Sequence, residues 1–509
     1  MYSLFAKKYS FFVIFDEKER ILTGLTFLQG RDILNKRIQG LMKRRLSMNG
    51  INTWSFSPYR PFLKDVGDLS ICRVAPTKST VAFSWLPLEE AVEYTVLYRK
   101  RGEEAFLTWG STSQTDCEIT GLACDTDYEF YVTCGEKRSR VRLARCGEGI
   151  GSTVNYLHPE DEAYAFSGRY LCSPSLLKHP DGYLLASMDV YAANHPQNLT
   201  FIFRSDDGGK RWYYLSELMP CFWGKLFLHR GEVYMLACST EYGDLLISKS
   251  TDGGRSFLPP VTLLRGSNGK NGGEGVHKNP QNIVIKNGRL YNTLEWGSWA
   301  NKEYCHAAMV MSFDLEDDPL NPASWSFSAP RRFDHFSEEL KELPLRTMTI
   351  EGTLVIDPEG KLLNIMRFGK YGQAIVYEVD EKNPHAPLSY ERLMDFSANL
   401  SKFMIKYDGA TGRYFSIATR LYDPEKPKAR NLLSLMVSKD LVTWEVAYDL
   451  YDFRDRDHKL VGLQYVDFEF DGEDLIYLCR TALNGANTYH NSNYVTFHRI
   501  EKFRSKLEK

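Results

Sequence analysis

The chain has 509 residues and a formal net charge of −2, from 63 basic and 65 acidic side chains. Hydrophobic residues make up 43% and charged residues 25%, which is typical of a globular protein and excludes a fibrous or disordered chain. The near balance of charge excludes a field that would attract nucleic acid or an anionic membrane, so we expect neither as a partner. The length favours two or more domains, because it exceeds what one hydrophobic core usually organises.

Residues 1–62 differ in character from the rest and are predicted to form an irregular or partly helical extension. Their apolar run, Phe11 to Phe15, is too short for a secretory signal or a membrane span. The ten cysteines show no CxxC pair and no metal-ligand spacing, which favours reduced thiols and no metal site. We therefore expect a cytoplasmic protein that uses no cofactor, with secretion left open.

Residues 63–148 alternate between apolar and polar side chains, in runs such as STVAFSWLPL and EYTVLYRK. This period of two predicts half-buried strands in a β-sandwich, with Trp85 in its core. Leu122 followed by Tyr128 is typical of a tyrosine corner, in which the Tyr hydroxyl bonds to backbone upstream. The segment resembles a fibronectin type III module, and the resemblance implies a spacing or bracing role.

Residues 149–509 repeat one unit, in which an apolar run, a turn with glycine and a second apolar run follow each other. The six turns are Asp181-Gly182, Arg230-Gly231, Asn287-Gly288, Glu359-Gly360, Asp408-Gly409 and Asp471-Gly472. They lie roughly 50 to 70 residues apart, which is the period of propeller blades and too long for solenoid repeats. The sequence therefore predicts an all-β chain with a six-bladed β-propeller after the β-sandwich.

Three strings of the form SxD followed by an aromatic residue occur between the units. They comprise Ser205, Asp207, Gly209 and Trp212, then Ser250, Asp252, Gly254 and Phe257, then the shorter Ser438, Asp440 and Trp444. We expect turns in which Asp accepts backbone N–H bonds, glycine takes a positive φ and the aromatic residue fills a gap. The strings resemble the Asp-boxes (BNR repeats) of sialidase-like propellers, which implies a structural role far from the axis.

In a propeller, the start of the first strand and the end of the second strand of each blade meet around the central channel. The starts predicted here are Ser173, Ser175, Lys225, His277, Lys278, Glu351, Lys402 and Tyr465, and the ends are Asp189, Glu241, Glu295, Arg367, Arg420 and Arg480. So many ionisable groups favour a substrate pocket over ordinary polar strand ends. Three arginines at equivalent ends would repel each other unless they bound an anion or buried carboxylates.

The segments TIEGTLVIDPEGKLLNIMR and GLQYVDFEFDGEDLIYL resemble two active-site segments of sialidases. The resemblance implies that Glu351 is the base for a nucleophilic Tyr465, and that Arg367 binds a substrate carboxylate. SPSLLKHPDGYLLASMDVY resembles the opening sialidase segment, which makes Asp189 the candidate acid. The chain departs from the family at Cys172, where sialidases carry the first arginine of a trio, and this departure leaves sugars other than sialic acid open.

These residues predict an exo-acting glycoside hydrolase that removes a terminal, acidic sugar from a glycan. We expect Arg420 and Arg480 to bind the acidic group with Arg367, and Glu295, Lys402 and Lys225 to bind substrate as well. A pair of carboxylates, Asp189 with Glu351 or Glu295, is an alternative acid and base.

His277 is expected to contact a substrate oxygen or to transfer a proton. A metal role is not favoured, because no second ligand falls at metal spacing and His306 is expected at the far end of the same blade.

Three other functions remain compatible with the sequence. A propeller polysaccharide lyase would also need arginines to neutralise a uronic acid carboxylate and a His or Tyr to accept a proton. A non-catalytic sugar-binding propeller would use the same pocket, although recognition seldom needs several carboxylates beside a tyrosine. A protein-binding scaffold would require an apolar patch, which the sequence does not indicate.

Overall fold

The computed structural model describes residues 69–267 and 273–507, and the described chain is all-β. Three short 3₁₀ helices occur within these ranges, at Pro322–Ser324, Glu338–Leu340 and Phe503–Lys506. No helix in the same ranges is long and apolar enough to cross a membrane. The prediction for residues 1–62 lies outside the described residues.

Two antiparallel sheets form the first part of the described chain. Their strands are β1 (Ile71–Pro76), β2 (Val81–Trp85), β3 (Tyr94–Lys100), β4 (Leu107–Thr112), β5 (Asp116–Ile119), β6 (Asp127–Cys134), β7 (Lys137–Arg138) and β8 (Arg142–Arg145). One sheet has the order β1-β2-β5, and the other has the order β4-β3-β6-β7 with β8 paired to β6. Both sheets contribute to one apolar core that includes Phe83, Trp85 and Phe130. The Tyr128 hydroxyl accepts a hydrogen bond from the Ala123 N–H at 2.9 Å, as a tyrosine corner requires.

Six further sheets, numbered I to VI in chain order, follow a strand β9 at Ser152–Tyr156. Sheet I contains β10 (Tyr170–Lys178), β11 (Leu184–Tyr191), β12 (Thr200–Ser205) and β13 (Tyr213–Leu218). Sheet II contains β14 (Phe222–His229), β15 (Glu232–Cys238), β16 (Leu245–Ser250) and β17 (Val261–Leu264). Sheet III contains β18 (Gly275–His277), β19 (Val284–Lys286), β20 (Arg289–Gly297), β21 (His306–Asp314), β22 (Trp325–Phe327) and β23 (Arg331–Arg332).

The remaining sheets have the same antiparallel order. Sheet IV contains β24 (Thr349–Ile356), β25 (Leu362–Phe368), β26 (Gln373–Glu378) and β27 (Ser389–Asp395). Sheet V contains β28 (Lys406–Asp408), β29 (Arg413–Thr419), β30 (Leu432–Ser438) and β31 (Trp444–Asp452). Sheet VI contains β32 (Gly462–Asp471), β33 (Asp474–Ala482) and β34 (Tyr494–Ile500), and β9 pairs with β34 as its outer strand. Five of the six predicted glycine turns join the first two strands of a sheet, and the sixth, Asn287-Gly288, joins β19 to β20 in sheet III.

Hydrogen bonds link the first strands of successive sheets. The Leu226 N–H of sheet II donates to Ser175 Oγ of sheet I, and Gln281 Nε2 of sheet III donates to the Glu351 carbonyl of sheet IV. Sheet VI contacts sheet I as well, because the Leu176 N–H donates to Asp467 Oδ2 at 2.9 Å. These bonds bring the first strands of sheets VI, I and II close to each other and join sheet III to sheet IV.

The three SxD strings form turns, as the sequence predicts. These turns lie between the third and fourth strands of sheets I, II and V. The carboxylates of Asp207, Asp252 and Asp440 each accept backbone N–H bonds, at 2.8 to 2.9 Å. Gly209 and Gly254 have φ values of 93° and 91°, which favour glycine. These aspartates therefore fix turns at the outer strands, away from the first strands.

Candidate active site

The first strands of four sheets share one irregularity. In β10, β14, β24 and β32 the register with the following strand shifts, as in a β-bulge. The bulge gives one residue of each strand a positive φ, namely Ser173 (45°), Trp223 (55°), Glu351 (58°) and Tyr465 (56°). This conformation is costly for residues other than glycine, and it is common where a bulge re-aims a side chain at a functional site.

Two of these bulge residues, Glu351 and Tyr465, contact each other and Arg367. The Tyr465 hydroxyl donates to Glu351 Oε1 at 2.5 Å. Arg367, near the end of β25, donates through Nη1 to Glu351 Oε2 at 2.9 Å and to the Tyr465 hydroxyl at 3.5 Å. Glu351 and Tyr465 are only 3% and 8% exposed, so water screens these contacts weakly. The structure thus brings together three side chains that the sequence placed in one site.

The charges in this group fix its resting protonation state. Burial raises the pKa of Glu351, but the charge of Arg367 and the hydrogen bond from Tyr465 outweigh burial, and the pKa lies below its usual value. Burial and the Glu351 charge both raise the pKa of Tyr465. At neutral pH the carboxylate is therefore ionised beside a protonated phenol. This arrangement allows the carboxylate to accept the phenol proton when the tyrosine oxygen attacks.

Two more arginines surround the Tyr465 ring. The guanidinium carbon of Arg480 lies 5.0 Å from the ring centroid, and that of Arg430 lies 5.9 Å from it. Arg430 also donates to the side-chain oxygen of Gln464. Burial and the charges of Arg367 and Arg480 lower the pKa of Arg430 to about 10, which leaves it charged at neutral pH. Sequence reasoning missed Arg430.

The structure does not bring Arg420 to this group. Its Nη2 donates to both carboxylate oxygens of Asp449 at 2.8 Å, and its Nε donates to Ser434 Oγ. Asp449 belongs to β31, the outer strand of sheet V, whereas the bulges lie on the first strands. The prediction that Arg420 lies beside Arg367 and Arg480 is therefore wrong, and Arg430 lies there instead.

His277 and Glu295 form a second pair that adjoins the Glu351 bulge. His277 Nδ1 lies 2.7 Å from Glu295 Oε2, and both residues are almost fully buried. The other Glu295 oxygen accepts the Gly352 N–H at 3.2 Å. The ring of His306 lies 4.7 Å from that of His277, so the expectation that His306 sits at the far end of sheet III is wrong. Glu295 thus fixes both the imidazole and the backbone beside Glu351.

Asp189, on β11 of sheet I, bonds to the bulge of β14 in sheet II. Its carboxyl accepts the Thr200 hydroxyl at 2.6 Å and the Trp223 N–H at 2.9 Å. The residue has no exposed surface, and burial raises its pKa to about 7. These contacts give Asp189 a positioning role for Trp223 and do not support the predicted role as the acid that reaches substrate.

Lys225 and Lys402 lie beneath the bulges and not among them. Lys225 and Asp467 each follow a bulge residue by two positions, and Lys225 Nζ contacts Asp467 Oδ2 at 2.6 Å. Lys402 Nζ donates to the Val466 carbonyl at 3.1 Å. Both lysines are bonded within this layer and are as buried as Glu351, and substrate contact by either of them stays a prediction. They stabilise the layer of the first strands that supports the bulges.

Two clefts of about 610 and 670 Å³ lie elsewhere in the described chain. The first is lined by residues such as Tyr451 and Phe497, and the second lies between Trp85 and Trp212. Neither cleft contains a bulge residue with positive φ. Neither is lined by Glu351, Tyr465 or Arg367, the three residues that form the Glu351 group. No set of three His, Cys, Asp or Glu side chains in residues 69–267 and 273–507 is arranged to hold a metal ion.

No protein-family model matches the sequence, and no curated protein matches it. The chain is similar to the structure of an α-L-arabinanase from Penicillium chrysogenum in complex with arabinobiose, with 15% identity and a TM-score of 0.46 over 69% of this chain and 98% of that one. It is also similar to a leech intramolecular trans-sialidase, with 9% identity and a TM-score of 0.47 over 86% and 92% of the two chains.

A polysaccharide lyase acting as an ulvan lyase is a third similar structure, with 10% identity and a TM-score of 0.40 over 86% of this chain and 95% of that one. With TM-scores below 0.5, these similarities leave the reaction open.

Proposed function

We propose that the chain is an exo-acting glycoside hydrolase of the sialidase-like superfamily, which removes a terminal acidic sugar from a glycan. In this proposal residues 149–509 form a six-bladed β-propeller with Asp-box turns, and residues 63–148 form a fibronectin type III-like module. Six antiparallel sheets linked through their first strands support the first assignment. The single observation that carries the function is the Tyr465 hydroxyl 2.5 Å from Glu351 Oε1, with Arg367 bonded to both groups.

In the proposed reaction the Tyr465 oxygen attacks the anomeric carbon of the terminal sugar, and its proton passes to Glu351. The glycosidic C–O bond breaks, and the leaving oxygen takes a proton from an acid. Water then attacks the anomeric carbon and gives a proton to the deprotonated acid, which is thereby restored. The bond to Tyr465 breaks, and Glu351 returns the tyrosine's proton to the phenolate oxygen. Two displacements at one carbon retain its configuration. A neutral tyrosine nucleophile suits this role because no negative charge approaches the sugar's acidic group before the attack.

The proton donor in this proposal is His277, held by Glu295. A carboxylate bonded to one imidazole nitrogen fixes the tautomer and orientation of the ring. In this proposal the other nitrogen donates a proton to the leaving oxygen. His277 lies close enough to Glu351 to contribute, after Arg367 and Tyr465, to lowering the pKa of that carboxyl. Asp189, the acid suggested by family resemblance, is bonded to the Trp223 backbone and keeps that bulge in place.

An acidic group on the sugar follows from the charges that contact Tyr465. Three guanidinium groups, those of Arg367, Arg430 and Arg480, lie around Tyr465, and only that of Arg367 is bonded to the Glu351 carboxylate. Buried like charges repel strongly at these distances, so an anion from the substrate would stabilise them. A carboxylate matches the planar, forked donors of arginine better than a hydroxyl does.

A panel of aryl glycosides tests the proposal, with sialosides, uronides, rhamnosides and arabinosides among them. We expect turnover of one acidic member, with retained configuration by proton NMR. Tyr465→Phe and Glu351→Gln are expected to lower kcat by about 10³-fold or more, because they remove the nucleophile and its base. Tyr377→Phe is the matched control, since the Tyr377 hydroxyl is buried in sheet IV without a hydrogen bond in the described chain. Wild-type kcat in the Tyr465 and Glu351 variants would refute the proposal.

A polysaccharide lyase acting on uronic acid chains is the second candidate, because the same contacts serve elimination. The arginines would neutralise the uronic acid carboxylate, and Tyr465 or His277 would move the proton. Elimination creates a double bond, so a rise in near-ultraviolet absorbance during turnover distinguishes a lyase from a hydrolase. Tight binding of an intact oligosaccharide without turnover, measured by calorimetry, would instead favour a sugar-binding propeller.

A further inference from the structure

An exposed tryptophan lies on the loop between β20 and β21. Trp299 is 42% exposed, and its indole lies outside the apolar clusters of the described chain. The loop is nevertheless fixed through its backbone. The Trp299 N–H donates to the Tyr242 hydroxyl at 3.1 Å, and the Trp299 carbonyl accepts from Arg346 Nη2 at 2.5 Å. Both anchors use main-chain atoms of Trp299, so they do not depend on the indole.

A series of ring contacts connects Trp299 to the candidate active site. The indole lies edge-on to His306, with 4.7 Å between ring centroids. His306 lies 4.7 Å from His277, and His277 lies 4.3 Å from the bulge residue Trp223. The loop follows the end of β20, where Glu295 bonds both His277 and the Gly352 N–H. Trp299 is therefore on the same side of sheet III as the Glu351 group, at its solvent-exposed border.

Rigid, exposed indoles at the border of a polar pocket suit one class of ligand. The faces of a sugar ring carry C–H groups that stack on an aromatic plane, and a fixed aromatic side chain loses little conformational freedom on binding. Because main-chain hydrogen bonds already fix the loop before a ligand binds, binding loses little of the loop's conformational entropy. An indole with only a stabilising role would contribute more by packing into the core than by lying 42% exposed.

We propose that Trp299 is the stacking platform for the second sugar of the glycan, the one that becomes the new chain end after cleavage. This inference rests on the proposed function, since it places the terminal sugar beside Glu351 and Tyr465. It predicts that the protein selects oligosaccharides over single glycosides through binding outside the reacting centre. The arginines recognise the acidic sugar, and Trp299 recognises its neighbour.

The test compares two substrates that end in the sugar identified by the aryl glycoside panel. One is a trisaccharide, which reaches Trp299, and the other is the glycosyl fluoride, whose leaving group carries no ring. We expect Trp299→Ala to raise KM for the trisaccharide about tenfold with kcat little changed, and to leave kcat/KM for the fluoride at the wild-type value. Trp299→Phe, which keeps an aromatic face, should have a smaller effect on KM.

Trp109→Ala is the matched control, because Trp109 is also exposed, at 40%, but lies on β4 in the first part of the chain. Equal changes for the two substrates in Trp299→Ala, or no change for either, would overturn the inference. Absence of turnover in the wild type would contradict the proposed function instead. In that case calorimetry with trisaccharides that end in each acidic sugar of the panel decides the platform separately. Weaker binding by Trp299→Ala, but not by Trp109→Ala, supports it, and wild-type affinity in Trp299→Ala, or no binding by the wild type, overturns it.

Discussion

Arg430 lies on the segment between β29 and β30. It does not follow the end of a second strand, which is the position from which the sequence predicted the site arginines. Arg420 meets the sequence rule, since it directly follows the second strand of sheet V, yet it pairs with Asp449. The two side chains differ in what folding places opposite them. An isolated bridge between Arg430 and Gly462 of β32 brings the arginine to Tyr465. Contacts between residues so far apart in the chain carry no local sequence signal, so the sequence predicted three arginines but misidentified one.

Replacing each arginine by methionine separates the two roles. Arg430→Met should lower kcat/KM on the acidic substrate by roughly ten- to a hundredfold, because a hydrogen bond to a charged group contributes about 1.5 to 3 kcal/mol. Arg420→Met, which disrupts the contacts with Asp449 and Ser434, should keep the wild-type kcat/KM. Steady-state kinetics on the aryl glycoside and its uncharged amide analogue provide the measurement. A larger loss in Arg420→Met than in Arg430→Met would contradict this assignment.

At the scale of the strand, the β-bulge decides which side chains face the site. The sequence predicted the first strands and their turns, because these depend on local periodicity and on glycine. It did not predict the register shift, and it therefore placed Lys225, two residues after the bulge of β14, in one layer with Glu351. The residues after two of the bulge positions, Gly224 and Gly352, are the only local hint, since glycine often marks a bulge or a close backbone approach. The other two bulges, followed by Pro174 and Val466, lack it.

The Glu351 bulge can be disturbed without touching the carboxylate. A Cβ at Gly352 would lie 2.1 Å from Asn364 Oδ1, whereas a Cβ at Gly409 would meet nothing within 4 Å. Gly352→Ala should therefore move Glu351 and lower kcat/KM about 100-fold, since displacements of about 1 Å near reacting groups have that effect. Gly409→Ala serves as the control and should retain activity.

Adding Asn364→Ala to Gly352→Ala should recover part of the lost activity, because it removes the clashing amide. Kinetics of the single and double variants, with thermal unfolding of each, measure the effect. Full activity in Gly352→Ala, or no recovery in the folded double variant, would show that the bulge does not position Glu351.

At the scale of the whole molecule, the order of the six sheets follows the chain, and the repeat in the sequence predicted it. The pairing of β9 with β34 was not predicted, because it joins Tyr156 to Tyr494, far apart in the chain. No local pattern specifies the partner of an outer strand. The same applies to Asp467, which accepts the Leu176 N–H of sheet I and Lys225 Nζ of sheet II while belonging to sheet VI. One fully buried carboxylate thus connects the last sheet to the first two.

Asp467→Asn should lower the free energy of unfolding by about 3 to 5 kcal/mol, because it leaves Lys225 charged and buried without its partner. Glu232→Gln, which breaks the more exposed pair with Lys249, should cause a much smaller loss. Burial raises the pKa of Asp467, but the charges of Lys225, Lys406 and Lys402 outweigh it and hold the pKa below its usual value. A carboxyl with a lowered folded-state pKa stabilises the protein above its unfolded-state pKa of about 3.9, and this contribution disappears as the pH falls through the folded-state value.

The stability difference between wild type and Asp467→Asn should therefore be full at neutral pH and shrink below about pH 4. Urea unfolding across that range measures it. A second change, Lys225→Met, should restore part of the stability at neutral pH, since it removes the unpaired charge. If Asp467→Asn unfolds at the same urea concentration as Glu232→Gln at neutral pH, the buried pair does not join the sheets as argued. If only the double variant is stable, the charge of Lys225 is the source of the loss, and the contact of sheet VI with sheets I and II depends on neutralising that charge.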